Sequence, residues 1–348
     1  MTTKINLALQ GGGSHGAFTW GVLDKLLEDG RLTFDGVCAC SAGSMNAVAL
    51  AYGFHSGGAD GARESLAKFW RDIHLAGRIF NPVKRSPWSW MKPNSSNPAS
   101  YFMLDSMTRF LSPYQFNPLD INPLRDVLEK SIDFEALQHC DSMRLFISTT
   151  QVRTGHVKIF ENAQINADVV LASACLPRLF KAVEIDGEHY WDGGYMGNPS
   201  LFPLFYKTDT SDILLVHVNP SEREQLPNTP TSIETRLNEI TFNSSLIKDM
   251  RAIAFVKKLL QNDMLNEKYK DRYKNVLLHE VKADALLDLG SKSKSNIEWN
   301  FLTDLRDRGR DSAEAWLKLH HDDVGVRDSV NLEEAFLGTV GQMFSNEA

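Results

Sequence analysis

The chain has 348 residues, 43 % of them hydrophobic, and a formal net charge of −7. That length and apolar content can fill one large core with embellishments and demand no second domain. The acidic balance argues against a nucleic-acid binder, which needs a concentrated basic surface, and against nonspecific attraction to anionic membranes.

No stretch reaches the roughly 20 apolar residues of a membrane span. Met1-Thr2-Thr3-Lys4 leads into the first apolar run without a secretory signal region, so a cytoplasmic protein is expected. That run, Ile5 to Leu9, reads as a strand and ends in Gly11-Gly12-Gly13-Ser14-His15-Gly16. Residues 17–29 then read as the first helix. Glycines at a strand end can aim successive backbone N–H groups at a negative charge. The spacing Gly11-x-Gly13-x-x-Gly16 also fits a dinucleotide fingerprint. That fingerprint needs an acid at the end of the second strand, roughly 20 residues on. Asp35 instead precedes the apolar run Val37 to Cys40, and Ser41 holds the place of the acid.

Ala39-Cys40-Ser41-Ala42-Gly43 forms a second turn, again where an apolar run hands over to a helical pattern. A serine flanked by small residues on a strand-to-helix turn matches a nucleophile elbow, in which bulky neighbours would clash. Helices are predicted over 42–53 and 62–76. The segment 80–123 is rich in proline and carries Trp88, Trp90, Met91, Tyr101, Phe102 and Met103 with Lys84, Arg85 and Lys92. A loop of that length inside a compact domain is usually functional, which suggests a lid, a packed cap or a dimer contact.

Further helices are predicted over 120–131 and 166–175, with strands at Leu145 to Gln151, Val157 to Glu161 and Val183 to Trp191. The last of these is a hairpin turning at Asp186-Gly187. It delivers Asp192 onto Gly193 and Gly194, so Asp192 is either a general base or part of an ordinary Asp-Gly turn. Ile213 to Val218 and Val276 to Val281 read as strands, 231–273 as helical throughout and Asp284 to Asn296 as a loop. Trp299 to about His320 forms an amphipathic helix. Alternation of this kind predicts a parallel-rich sheet covered on both faces.

The ordered set Gly11 to Gly16, Ala39 to Gly43 and Asp192 to Gly194, with the small-residue stretch Ala172 to Phe180, resembles the patatin-like phospholipases. The resemblance implies a three-layer α/β/α fold with a mostly parallel sheet. It implies a catalytic core over 1–222 containing the inserted segment 80–123, and a mainly helical extension over 223–348. It further implies a serine acyl hydrolase with Ser41 and Asp192 as catalytic dyad and Gly11, Gly12 and Gly13 as oxyanion hole. His15, Gly16, Ala39, Gly43, Gly193 and Gly194 would support the motifs. The substrate would be a lipid or acyl ester, compatible with a transient membrane-surface contact, with no metal, no other cofactor and no nucleic acid. An acyltransferase would use the same residues, and a non-catalytic lipid or nucleotide binder is the remaining alternative.

Two positions depart from the family pattern. Ala39 replaces a glycine, which matters only if that position needs positive φ. His15 replaces Arg or Lys, so a charge there would fade at neutral pH. A lone aspartate is a weak base at pH 7, and burial beside Tyr190, Trp191 and Tyr195 would raise its pKa. The mechanistic rival is a Ser–His–Asp triad using His217, His279, His320 or His321, with His217 placed in a buried strand. Cys38, Cys40, Cys140 and Cys175 lack metal spacing and read as reduced core thiols. His320-His321-Asp322-Asp323 has metal-ligand residue types but reads as a solvated helix end.

Overall fold

The computed structural model of the protein describes residues 2–80, 110–270, 272–287 and 289–337. Strand β1 (Thr3–Leu9) feeds helix α1 (Gly16–Asp29), which stops at Gly30, a left-handed residue with φ 72°. Strand β2 (Leu32–Ala39) returns parallel to β1 and opens α2 (Ala42–Phe80). The two helices expected over 42–53 and 62–76 lie within α2, joined through the non-helical Gly57 and Gly58. Asn122 caps α3 (Pro123–Ser131), so this helix begins at its proline, whose missing N–H costs nothing in the first turn.

Strands β3 (Arg144–Gln151) and β4 (Val157–Glu161), helix α4 (Ala167–Ser173) and the hairpin of β5 (Val183–Ile185) and β6 (Glu188–Asp192) follow. The hairpin turns at Asp186 and Gly187, both at positive φ. After α5 (Phe202–Lys207) come β7 (Asp212–His217), α6 (Pro230–Gln261), β8 (Leu277–Lys282) and α7 (Trp299–His320). The helix expected to run through residue 273 therefore ends at Gln261. Asp263 is left-handed there, and helix resumes only as the single turn Glu267–Lys270. The expected loop over 284–296 contains two 3-10 turns, Asp284–Leu286 and Ser291–Ser295.

The strands form one sheet in the order β5-β6-β3-β2-β1-β7-β8, with β4 paired to β3. Alternation along the strands sends side chains to two cores. Ile5, Leu7, Leu9, Val37 and Ile147 join one with residues of α1, α2 and α7, whereas Ala8, Cys38, Phe146 and Leu215 join the other with residues of α5 and α6. The result is a three-layer α/β/α fold with a mixed, mostly parallel central sheet.

Residues 223–348 do more than cover this sheet. They supply β8, which pairs parallel with β7, and α7, which lies against α1. At that crossing a Cβ on Gly21 would collide with the Arg306 carbonyl and one on Gly309 with the Phe18 carbonyl, so two glycines let the helix backbones touch. Of the segment 80–123, residues 81–109 lie outside the described residues, including the aromatic and basic side chains singled out from the sequence. The described remainder holds the helical turn Pro113–Phe116 and exposes Phe110, Leu119 and Ile121.

Candidate active site

Strand β3 acts as a ruler that brings the two ends of the site together. Strand β4 occupies one edge of β3 from Phe146 to Thr150. The other edge is shared: β2 pairs parallel up to Ala39 opposite Ile147, and β6 comes in antiparallel with Asp192 opposite Thr149. Two residues of strand separate those registers, about 7 Å. The turn carrying Ser41 and the end carrying Asp192 therefore meet head to head on one edge.

Ser41 has φ 52°, a left-handed conformation that costs a non-glycine residue on the order of 1 kcal/mol or more. Its neighbours hold it there. Its N–H donates to Ser173 Oγ at 2.9 Å, and Ser173 in turn donates to the Ser148 carbonyl at 2.8 Å, tying the elbow to β3. Ser44 Oγ donates to the Ser41 carbonyl at 2.6 Å. Crowding accounts for the small residues around the turn. A Cβ on Gly11 would come within 2.6 Å of Ser41 Cβ, and one on Gly16 within 2.8 Å of Ala42 Cβ. A Cβ on Gly43 would meet the Leu9 carbonyl. Ala39 is an ordinary strand residue without positive φ, so alanine is unstrained in place of the family's glycine.

Asp192 is 1 % exposed. Its Oδ1 accepts the Gly194 N–H at 2.7 Å and faces the Cys40 thiol at 3.5 Å. Burial pushes its carboxyl up to about 6, against the opposing pull of the Gly194 N–H and of the nearby Ser41 and Cys40 side chains. The Ser41 hydroxyl is close enough to steady the carboxylate, yet among the described residues no completed hydrogen bond reaches the buried Asp192 Oδ2. Gly193 and Gly194 are small for steric reasons, since a Cβ on the first would strike the Ser148 carbonyl and one on the second the Phe242 ring.

The three glycines of the first turn are not equivalent. Gly11 N–H is committed to Asn198 Oδ1 at 2.8 Å, whereas the N–H groups of Gly12, Gly13 and Ala42 have no acceptor among the described residues. Gly13 adopts φ 59° and packs against the Lys294 carbonyl, where any side chain would collide. His15 is buried and its Nε2 lies 2.7 Å from Ser293 Oγ. Burial, reinforced by the charges of Lys294 and Arg223, lowers its pKa to about 3, so it is neutral here and carries no charge to the loop.

Sequence reasoning missed the polar shell behind the glycine turn. Gln10 Oε1 accepts from the Val218 and Asn219 N–H groups and from Asn219 Nδ2, while Gln10 Nε2 donates to the Asn198 carbonyl and to Asn243 Oδ1. The available signal was a glutamine and an asparagine closing two otherwise apolar strands, Gln10 after β1 and Asn219 after β7, both fully buried.

The histidines proposed as rival bases point elsewhere. His217 Nδ1 lies 2.6 Å from Glu280 Oε1 and its Nε2 3.4 Å from Ser221 Oγ, beside a cleft of about 390 Å³ whose lining includes neither Ser41 nor Asp192. His279 pairs with Asp212 at 2.9 Å, His320 with Asp323 at 2.9 Å and His321 with Asp322 at 3.2 Å. Among the described residues no group of three or more His, Cys, Asp or Glu side chains is arranged to hold a metal ion. Nor is any helix among them long and apolar enough to cross a membrane. All four cysteines are buried and free.

A family model of patatin-like phospholipases matches residues 7–205. That is more than half of the 348 residues, and the chain belongs to this family. Membership points to a lipid acyl hydrolase. Among solved structures, VipD from Legionella pneumophila is similar at 15 % identity and a TM-score of 0.43, covering 99 % of this chain and 75 % of that one. Comparison with curated proteins gives no match.

Proposed function

We propose that the protein hydrolyses carboxylic esters of phospholipids, lysophospholipids or related acyl lipids through an acyl-enzyme on Ser41, with Asp192 as the base. Ser41 Oγ attacks the ester carbonyl carbon while its proton passes to Asp192. The negative charge that develops on the carbonyl oxygen is met by the N–H groups of Gly12, Gly13 and Ala42, the last at the positive end of α2. Collapse of the tetrahedral species breaks the bond to the alcohol, which leaves with the proton from Asp192. Water then attacks the acyl group and gives its proton to the same carboxylate, which returns it to Ser41 Oγ as the bond from that oxygen to the acyl carbon breaks and the fatty acid is freed.

The observation that carries this reading is a carboxyl sealed from water, with one oxygen unpaired, beside a serine held in a strained turn. A base with a pKa near the working pH transfers protons most effectively, which favours Asp192 as buried over an exposed aspartate. Phe110, Leu119 and Ile121, exposed in the described part of the segment 80–123 read as a lid, support contact with a lipid surface. The test is an ester panel running from short soluble esters through lysophospholipids to diacyl lipids, with fluorophosphonate labelling. Wild type turns over one or more members and labels, whereas Ser41→Ala does neither. Labelling that persists in Ser41→Ala would refute Ser41 as the nucleophile.

A further inference from the structure

We infer that Lys294 is a positioning residue for the oxyanion site proposed above, holding and polarising the Gly11–Gly12 peptide through Asn219. The segment Ser291–Ser295 is strapped across the glycine turn at several points. Ser14 Oγ donates to the Ser293 carbonyl at 2.9 Å, His15 meets Ser293 Oγ at 2.7 Å, and the Lys294 backbone fills the space opposite Gly13. From there Lys294 Nζ reaches inward to donate to Asn219 Oδ1 at 2.7 Å. Asn219 Nδ2 donates to the Gly11 carbonyl at 2.7 Å. That carbonyl belongs to the same peptide unit as the Gly12 N–H, and a peptide whose oxygen is hydrogen-bonded is a stronger donor through its nitrogen. The relay thus runs from an ammonium through a side-chain amide into one of the free N–H groups of the turn.

The surroundings favour this role. His15 is neutral, so the turn itself carries no cation, and Lys294 and Arg223 are the charges felt beside it. Burial lowers the Lys294 pKa, Glu239 opposes that fall, and this carboxylate is already shared by Arg223 at 2.7 Å and Arg236 at 3.2 Å. Three cations therefore stand behind the turn around one carboxylate, a field that lowers the energy of a negative oxygen in front of it. The inference rests on Gly12 serving as an oxyanion donor.

The test combines kinetics with an amide signal. Lys294→Met keeps the length of the side chain and the backbone contact with Gly13 but removes the charge. We expect kcat on a soluble ester and the rate of fluorophosphonate labelling both to fall about tenfold, with KM within about twofold. Lys294→Arg should restore part of the loss. Protein labelled with [1-13C,15N]glycine reports only amides preceded by glycine, which in this sequence are Gly12, Gly13, Gly58 and Gly194. In Lys294→Met the Gly11 carbonyl and Gly12 nitrogen signals should move upfield while those reporting Gly58 and Gly194 stay.

A Gly12 signal that does not move, or an unchanged kcat, overturns the inference. A Gly12 shift in a protein that never labels at Ser41 would leave the relay standing and sink the hydrolase reading instead. Should Lys294→Met fail to fold, Lys294→Gln, which keeps a donor without the charge, serves the same purpose, and wild-type kinetics in that variant would also overturn the inference.

Discussion

Asp192 and Glu280 are both carboxylates buried in the same sheet, and their surroundings differ in one respect. Glu280 has partners: His217 Nδ1 at 2.6 Å and Lys282 Nζ at 3.6 Å. Asp192 has an N–H from Gly194, a weak thiol contact and the nearby Ser41 hydroxyl, and its Oδ2 has no completed hydrogen bond among the described residues. A paired buried carboxylate is part of the scaffold, and removing its partner leaves a charge stranded. An unpaired one retains a high proton affinity that can be put to use when a hydroxyl proton is offered. Of two similar residues, the one the fold has left unsatisfied is therefore the better candidate for chemistry.

That contrast breaks down first if Ser41→Ala or Asp192→Asn retains turnover. We expect either to lower kcat by roughly 10³-fold or more, the scale seen when one member of a nucleophile–base unit is removed. Asp192→Asn should at the same time stabilise the protein. A carboxyl raised from an ordinary value to about 6 makes the folded state hold its proton more tightly, so stability falls as pH rises toward 6 and is flat above. The variant should lose that slope and unfold at higher temperature at pH 7, as measured by thermal denaturation across pH.

Next in size is Gly13→Ala, which forces a side chain onto the Lys294 carbonyl at a residue with φ 59°. It should cost at least the roughly 10²-fold typical of a lost oxyanion donor, while the protein still folds at lower temperature. A smaller loss would shift the burden to Gly12 and Ala42.

The pH profile sharpens the comparison further. Turnover should rise through a single acidic limb near the value of about 6 that burial gives Asp192, because only the ionised form accepts the proton. Histidine titrates in the same range, so the limb must be assigned by its response to substitution: retained in His217→Ala and absent in whatever residual activity Asp192→Asn shows.

The smallest effect on turnover belongs to His217→Ala. It should keep kcat within about threefold but lose about 3 kcal/mol of stability by leaving Glu280 buried without its imidazole. Exchanging both for glutamine, which can hydrogen-bond as a neutral pair, should recover much of that loss. Near-total loss of turnover in His217→Ala would make this edge of the sheet the chemical one.

What the sequence disclosed was what neighbouring residues decide among themselves. The alternation ending at Asp192, the Asp186-Gly187 turn and the amphipathic stripe from Trp299 are local patterns, and the structure has them within a residue or two. Ser41 was recognisable because an elbow excludes bulk from its own flanks. Lys294 was not, for its partner Asn219 lies 75 residues away and its setting, a Lys/Ser-rich stretch, is one that reads as solvated loop. The commitment of Gly11 to Asn198, 187 residues on, was hidden for the same reason. The break after Gln261 also escaped notice, because Asn262 and Asp263 interrupt a pattern that resumes helical at Glu267.

Strand β8 has a practical consequence. It covers β7 from Asp212 to His217, in the part of the chain the family model leaves unmatched. Ending the protein after β7 would strip that strand away and leave a fully apolar row, Ile213 to Val216, with its backbone donors and acceptors bare. Such a sheet margin recruits strands from other copies, so trimming this protein would be expected to yield aggregates in place of a minimal enzyme.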